Sequence, residues 1–85
     1  MIVSIVTFKL LPGADREAFL AADKAMQEDV LYHREGFVRR TVAFSADRDE
    51  WIAASFSWSE PVLDVVDGHV DPSTVATSYY ADIGG

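Results

Sequence analysis

FVRRTVAFSADRDEWIAASFSW, residues 37–58, is the stretch on which the fold turns. It holds two runs rich in β-branched and aromatic side chains, 37–45 and 50–58, joined by the short polar turn Ala46-Asp47-Arg48-Asp49. Such a pair reads as a β-hairpin. In the first strand Val38, Val42 and Phe44 share one face, and Phe37 and Ala43 the other. In the second, Ile52, Phe56 and Trp58 oppose Trp51, Ala53 and Ser55. An antiparallel sheet with one wet face should alternate apolar and polar residues. This hairpin instead carries apolar bulk on both faces.

The flanking sequence repeats that pattern. Residues 2–10 form another short β-branched run, with Ile2, Val6 and Phe8 on one side and Val3 and Ile5 on the other. Pro12-Gly13 ends it, and Asp15 is placed to cap a helix with Glu17 in its first turn. From 16 to 32 the residues are mostly good helix formers. Phe19, Ala22, Met26 and Val30 fall at steps of three and four and predict the buried stripe, with Asp23, Lys24, Gln27 and Glu28 outside. Gly36 supplies the stop, after His33-Arg34 at the negative end of the helix dipole. Beyond the hairpin, Pro61 to Gly68 reads as a two-turn helix with Val62, Val65 and Val66 facing inward, although valine is a poor helix former. Pro72-Ser73 opens a last strand over 74–83, where Val75, Thr77 and Tyr79 alternate with Ala76, Ser78 and Tyr80.

The order is β-α-β-β-α-β in a single domain over residues 1–85. The fold class it predicts is α+β: a ferredoxin-like four-stranded antiparallel sheet with both helices, the second one short, on one face. The other face is then left apolar and uncovered, a patch on the order of several hundred Å² that monomers rarely tolerate. At about 25 cal/mol per Å², covering it is worth several kcal/mol before association entropy is subtracted. A chain of 85 residues buries only about 60% of its unfolded surface and is marginal alone. With no cysteine, disulfides are excluded. Two histidines are too few for a histidine-rich metal site within one subunit. The expected remedy is a homodimer, sheet packed on sheet.

Composition excludes other classes of partner. Seven Lys and Arg stand against fourteen Asp and Glu, a formal charge of −7. That sign disfavours nucleic acid and anionic membranes, both of which select for basic residues. The opening MIVSIVTFKL lacks a cationic start and alternates directly into Lys9, and no apolar run approaches the ~20 residues of a membrane span, so a cytoplasmic protein is expected.

Three segments, FKLLPGADREAFLAA (8–22), EGFVRRTVAFSADRDEWIAASFSWSEP (35–61) and HVDPSTVATSYY (69–80), together resemble the dimeric α+β barrel superfamily, in particular its small antibiotic-biosynthesis-monooxygenase-like proteins. The resemblance spans nearly the whole chain and consists of structural residues rather than a catalytic signature. It implies two ferredoxin-like sheets paired into a barrel, with a small aromatic or polyketide-like ligand between sheet and helices and no cofactor. The segment after Trp58-Ser59-Glu60 is shorter than the second helix of that family. Characterised oxygenases of the superfamily orient their substrate with an Asn, a Trp and sometimes a His. This chain has no Asn, so that pattern carries over at most to Trp51 or Trp58.

Trp58 reads as a core or corner anchor, or as a stacking surface for a ligand. Arg39 and Arg40 point to opposite faces; whichever is buried needs an anion, either Glu50 across the sheet or a ligand carboxylate or enolate. Tyr79 and Tyr80 also face opposite ways. His33 continues the helix stripe as a cap, and His69 follows Gly68 in a loop. Relatives that cyclise polyketide-like substrates use His and Tyr as acid and base, which makes His33, His69 and Tyr80 the catalytic candidates; Trp58, Arg40 and Tyr79 are the ligand-binding ones. DRDE (47–50) and DGHVDP (67–72) contain metal-capable residues without a ligand spacing, and no metal site is expected. Three functions remain open: a homodimeric small-molecule binder, a cofactor-independent monooxygenase or acid/base cyclase, and a purely structural assembly module.

Overall fold

In the computed structural model, which describes residues 1–59, 61–62 and 67–83, four strands and one α-helix carry the architecture. They are β1 (Ile2–Phe8), α1 (Arg16–Asp29), β2 (Phe37–Ser45), β3 (Glu50–Ser57) and β4 (Ala76–Ala81). The strands form one sheet in the order β2-β3-β1-β4, and every neighbouring pair is antiparallel. This α+β arrangement is compatible with a ferredoxin-like fold. Among the described residues α1 is the one α-helix, against the two expected. Of the predicted second helix, residues 63–66 lie outside the described residues, and Asp67–His69 is a 3-10 turn. No helix among the described residues is long and apolar enough to cross a membrane.

Local chemistry accounts for the boundaries. Gly13 takes φ +78 between β1 and α1. The Asp15 carboxylate then caps α1, accepting from the Glu17 N–H at 3.0 Å. The helix stops at Asp29, earlier than the expected 32, and tightens into the 3-10 turn Leu31–His33. That tightening turns Leu31 fully inward and leaves Val30 exposed, so Leu31 takes the place at the end of the buried stripe that Val30 was expected to hold. At the hairpin Asp49 adopts φ +48 in the turn before Glu50. Segment 69–74 is stapled to the end of β1: Leu11 N–H donates to the His69 carbonyl at 2.9 Å, Asp71 N–H to the Lys9 carbonyl at 2.9 Å, and Lys9 N–H to Thr74 Oγ1 at 2.8 Å. These bonds fix where β4 enters the sheet.

One register shift changes which residues share a face. Phe37 pairs with Ser57 and Arg39 with Phe56, so β2 advances two residues while β3 advances one. Val38 is the extra residue of a β-bulge. Phe37 therefore lies on the face of Ser57, beside the Tyr32 ring at 5.8 Å, and not with Arg39 and Ala43 as plain alternation predicted.

The covered face is packed around Phe19 of α1. Its ring meets Phe8 edge-on at 5.6 Å and Trp51 at 5.2 Å, with Val6, Ala53 and Val70 completing the buried cluster. Among the described residues nothing covers the opposite face in this way. Val3, Ile5, Thr7, Ile52, Ala54 and Phe56 there are only half-buried, and Thr41, Ala43 and Tyr80 are exposed.

Candidate functional site

A polar row crosses the covered face. Cross-strand pairing aligns Arg40 with Ser55, Ser55 with Ser4, and Ser4 with Tyr79, one residue from each strand. Toward the hairpin the next two rows are apolar, built on Val42, Ala53 and Val6, then Phe44, Trp51 and Phe8. Three of the four row residues, Arg40, Ser55 and Ser4, are buried; Tyr79 on the edge strand is half out in solvent.

Charge in this row is neutralised from α1. Asp23, 2% exposed, receives Arg40 Nη2 on Oδ1 at 2.8 Å and Nε on Oδ2 at 3.4 Å. Gln27 Nε2 also donates to Asp23 Oδ2, at 2.8 Å. Arg40 Nη1 approaches Ser55 Oγ at 3.5 Å. A buried guanidinium needs such a forked anionic partner, because the desolvation of each charge alone would cost several kcal/mol. Asp23 was expected on the outside of the helix and Glu50 as the structural partner of a buried arginine; both expectations are corrected. Glu50 sits with Ile52 on the uncovered face, where it cannot reach Arg40. The signal for Asp23 was present in the sequence: it lies four residues after Phe19 and three before Met26, within the buried stripe itself. The serines were equally legible, since Ser4 shares a face with Val6 and Phe8, and Ser55 with Trp51 and Ala53.

Beyond Arg40 the row is roofed by backbone. Val62 N–H donates to Ser4 Oγ at 3.0 Å, which brings the chain after β3 back over the middle of the sheet. Two residues beyond the strand, Ser59 N–H reaches Ser57 Oγ at 3.4 Å, and Ser59 Oγ donates to the Glu35 carbonyl at 2.7 Å. Next to this roof, Ile2, Pro61, Tyr79, Tyr80 and Ala81 outline a shallow concavity of about 240 Å³ on the β4 edge.

The other candidates are dispersed. His33 is exposed in the 3-10 turn after α1, outside the helix itself. His69 packs against the Phe19 ring at 6.3 Å, over the apolar half of the face; its Nδ1 is buried and has no hydrogen-bond partner among the described residues. Tyr80 pairs with Val3 and belongs to the uncovered face. Trp58 is 68% exposed just past β3, held by its N–H to the Gly36 carbonyl at 2.7 Å, so the indole is not part of the described core. Trp51, by contrast, is core. Arg40 and Tyr79 share one row but at opposite ends, three strand spacings or about 14 Å apart. Among the described residues no three metal-capable side chains converge.

Two further concavities flank the hairpin. Arg16 stacks its guanidinium over Phe44 at 4.4 Å and Trp51 at 5.4 Å, beside a space of about 270 Å³ at the start of α1. On the uncovered face Thr7, Ala43, Ile52, Arg48 and Glu50 help line a hollow of about 350 Å³. Comparison with protein-family models, with curated proteins and with solved structures finds no match for this chain.

Proposed function

We propose that this protein works as a homodimer, two sheets packed through their uncovered faces as in a dimeric α/β barrel, and that it binds a small aromatic or polyketide-like molecule without transforming it. The observation that carries the reading is the patch of half-buried Val3, Ile5, Ile52 and Phe56, apolar side chains on the sheet face opposite the one on which Phe19 of α1 packs. The ligand is assigned to the β4 edge, where Tyr79 and Tyr80 border an apolar hollow beside Pro61. Aromatic side chains there offer stacking surface to a planar ligand. Arg40 is assigned a structural role, because Asp23 already satisfies its charge. Binding rather than catalysis is favoured because the histidines and tyrosines are spread over both faces and the helix end.

The test is native mass spectrometry of the purified protein, followed by titration of the species obtained with planar aromatic compounds. A dimer that binds such a compound, with affinity lost in Tyr79→Ala, supports the reading. A dimer that binds none supports the structural assembly module instead. One observation favours the catalytic alternative: the buried Nδ1 of His69, which has no hydrogen-bond partner among the described residues. Turnover of a quinol or polyketide-like substrate, abolished by His69→Ala or His33→Ala, would establish a cofactor-independent oxygenase or cyclase and overturn the binder.

A further inference from the structure

The two ends of the uncovered face differ in charge. At one end the bulge at Val38 sets Arg39 opposite Phe56, and its guanidinium lies over that ring at 4.4 Å from the centroid. Val3 and then Tyr80 continue the same row across the sheet. At the other end Glu50, which is half-buried and shares a face with Ile52 and Phe56, borders the 350 Å³ hollow with Thr7, Ala43, Ile52 and the exposed Arg48 of the hairpin turn, which forms no ion pair with it among the described residues. Among the described residues neither Arg39 nor Glu50 has an ion-pair partner within the chain. Glu50 and Phe56 lie six positions apart on β3, about 20 Å at strand rise.

A face with a cation stacked on an aromatic ring at one end, and a carboxylate beside a hollow at the other, is complementary to itself when turned end for end. We infer that the second copy packs with its strands antiparallel to the first, related by a two-fold axis that runs across the strands, so that Arg39 of each copy meets Glu50 of the other. This deepens the dimer reading above and rests on it. The pairing occurs twice by symmetry, as an isologous interface requires. It also places the Arg39–Phe56 stack over the partner's hollow, filling space that a sheet–sheet contact would otherwise leave empty. The alternative two-fold axis, along the strands, sets β2 against the partner's β4. It would bring Arg39 toward Asp82 of the other copy and leave both hollows and both Glu50 carboxylates without a counterpart.

Charge reversal separates these arrangements. Arg39→Glu and Glu50→Arg, each alone, should raise the dimer dissociation constant at least about tenfold, as a close interfacial charge pair requires. The double variant should return to within about threefold of the original. Because Glu50 is half-buried in its own chain, crosslinking supplies an independent readout, and the cysteine-free chain makes it clean. Copies carrying Arg39→Cys mixed with copies carrying Glu50→Cys should be joined by a short bismaleimide that spans the ~10 Å between packed sheets but not the length of the face. A dimer in which the reversals merely add, or in which Arg39→Cys copies crosslink to Asp82→Cys copies instead, overturns the orientation and leaves the dimer standing. A monomer at micromolar concentration removes both.

Discussion

The two faces of this sheet are built from alternate residues of the same strands and meet different fates. On the covered face, Phe8, Trp51 and Phe19 interlock and the charge of Arg40 is cancelled within the chain by Asp23. On the uncovered face the side chains are as apolar, yet they stay half-exposed, and the charges of Arg39 and Glu50 find no counterpart among the described residues. The difference teaches where each face gets its stability. One is completed by the chain's own helix, so its defects should appear as unfolding. In the proposed dimer the other is completed by a second copy, so its defects should appear as dissociation.

The largest effects should come from the covered face. Asp23→Ala strands a buried guanidinium and should cost about 3–5 kcal/mol of folding stability, read from the urea midpoint. Asp23→Leu combined with Arg40→Met should recover most of that loss, since it removes both charges and keeps the volume. Phe19→Ala should cost a similar ~3–5 kcal/mol through its cavity. If either single change left the midpoint unmoved and weakened association instead, the division between the faces would be wrong.

Ile5→Glu, in the middle of the uncovered face, should do the opposite. It should leave the far-ultraviolet circular dichroism of a folded chain while abolishing association at micromolar concentration, because a carboxylate would be buried without a partner in the interface. Gly36→Ala probes the seam between the faces. That glycine has φ +83, and an added Cβ would stand 2.6 Å from Ser59 Oγ and 3.0 Å from its backbone nitrogen. A loss of more than ~1 kcal/mol is expected, larger than an ordinary glycine substitution because strain and clash add. The smallest effects on folding belong to the adjacent tyrosines, within about 0.5 kcal/mol each for exposed edge residues. Their association phenotypes should split, with Tyr80→Ala weakening the dimer and Tyr79→Ala leaving it intact but losing the aromatic ligand.

Much of this contrast was legible in the sequence. The runs 2–10 and 50–58 announced strands with two apolar faces, Pro12-Gly13 marked the end of the first and Asp15 the helix start, and the polar turn 46–49 joined the hairpin. What escaped had local causes. A single bulge residue, Val38, moved Phe37 to the other face, and no residue type announces a bulge of that kind. The tightening of the chain after Asp29 exchanged Val30 for Leu31. Asp23 was misread because residue type was weighed above position: at a buried helical site a carboxylate can stay if an arginine from the sheet reaches it, and that pairing joins residues seventeen apart in the chain. Of the candidate site, Arg40 and Tyr79 proved to share a row, a coincidence of register that spacing along the chain does not reveal. His33 and His69 proved to share nothing.

The most direct test of the division between the faces is the mass of the native protein by light scattering at micromolar concentration, beside that of Ile5→Glu. Twice the chain mass for the native protein and a single, folded chain for the variant are predicted. A native protein of single-chain mass that melts cooperatively would contradict the account, because its uncovered face would then be stable in water without a second copy.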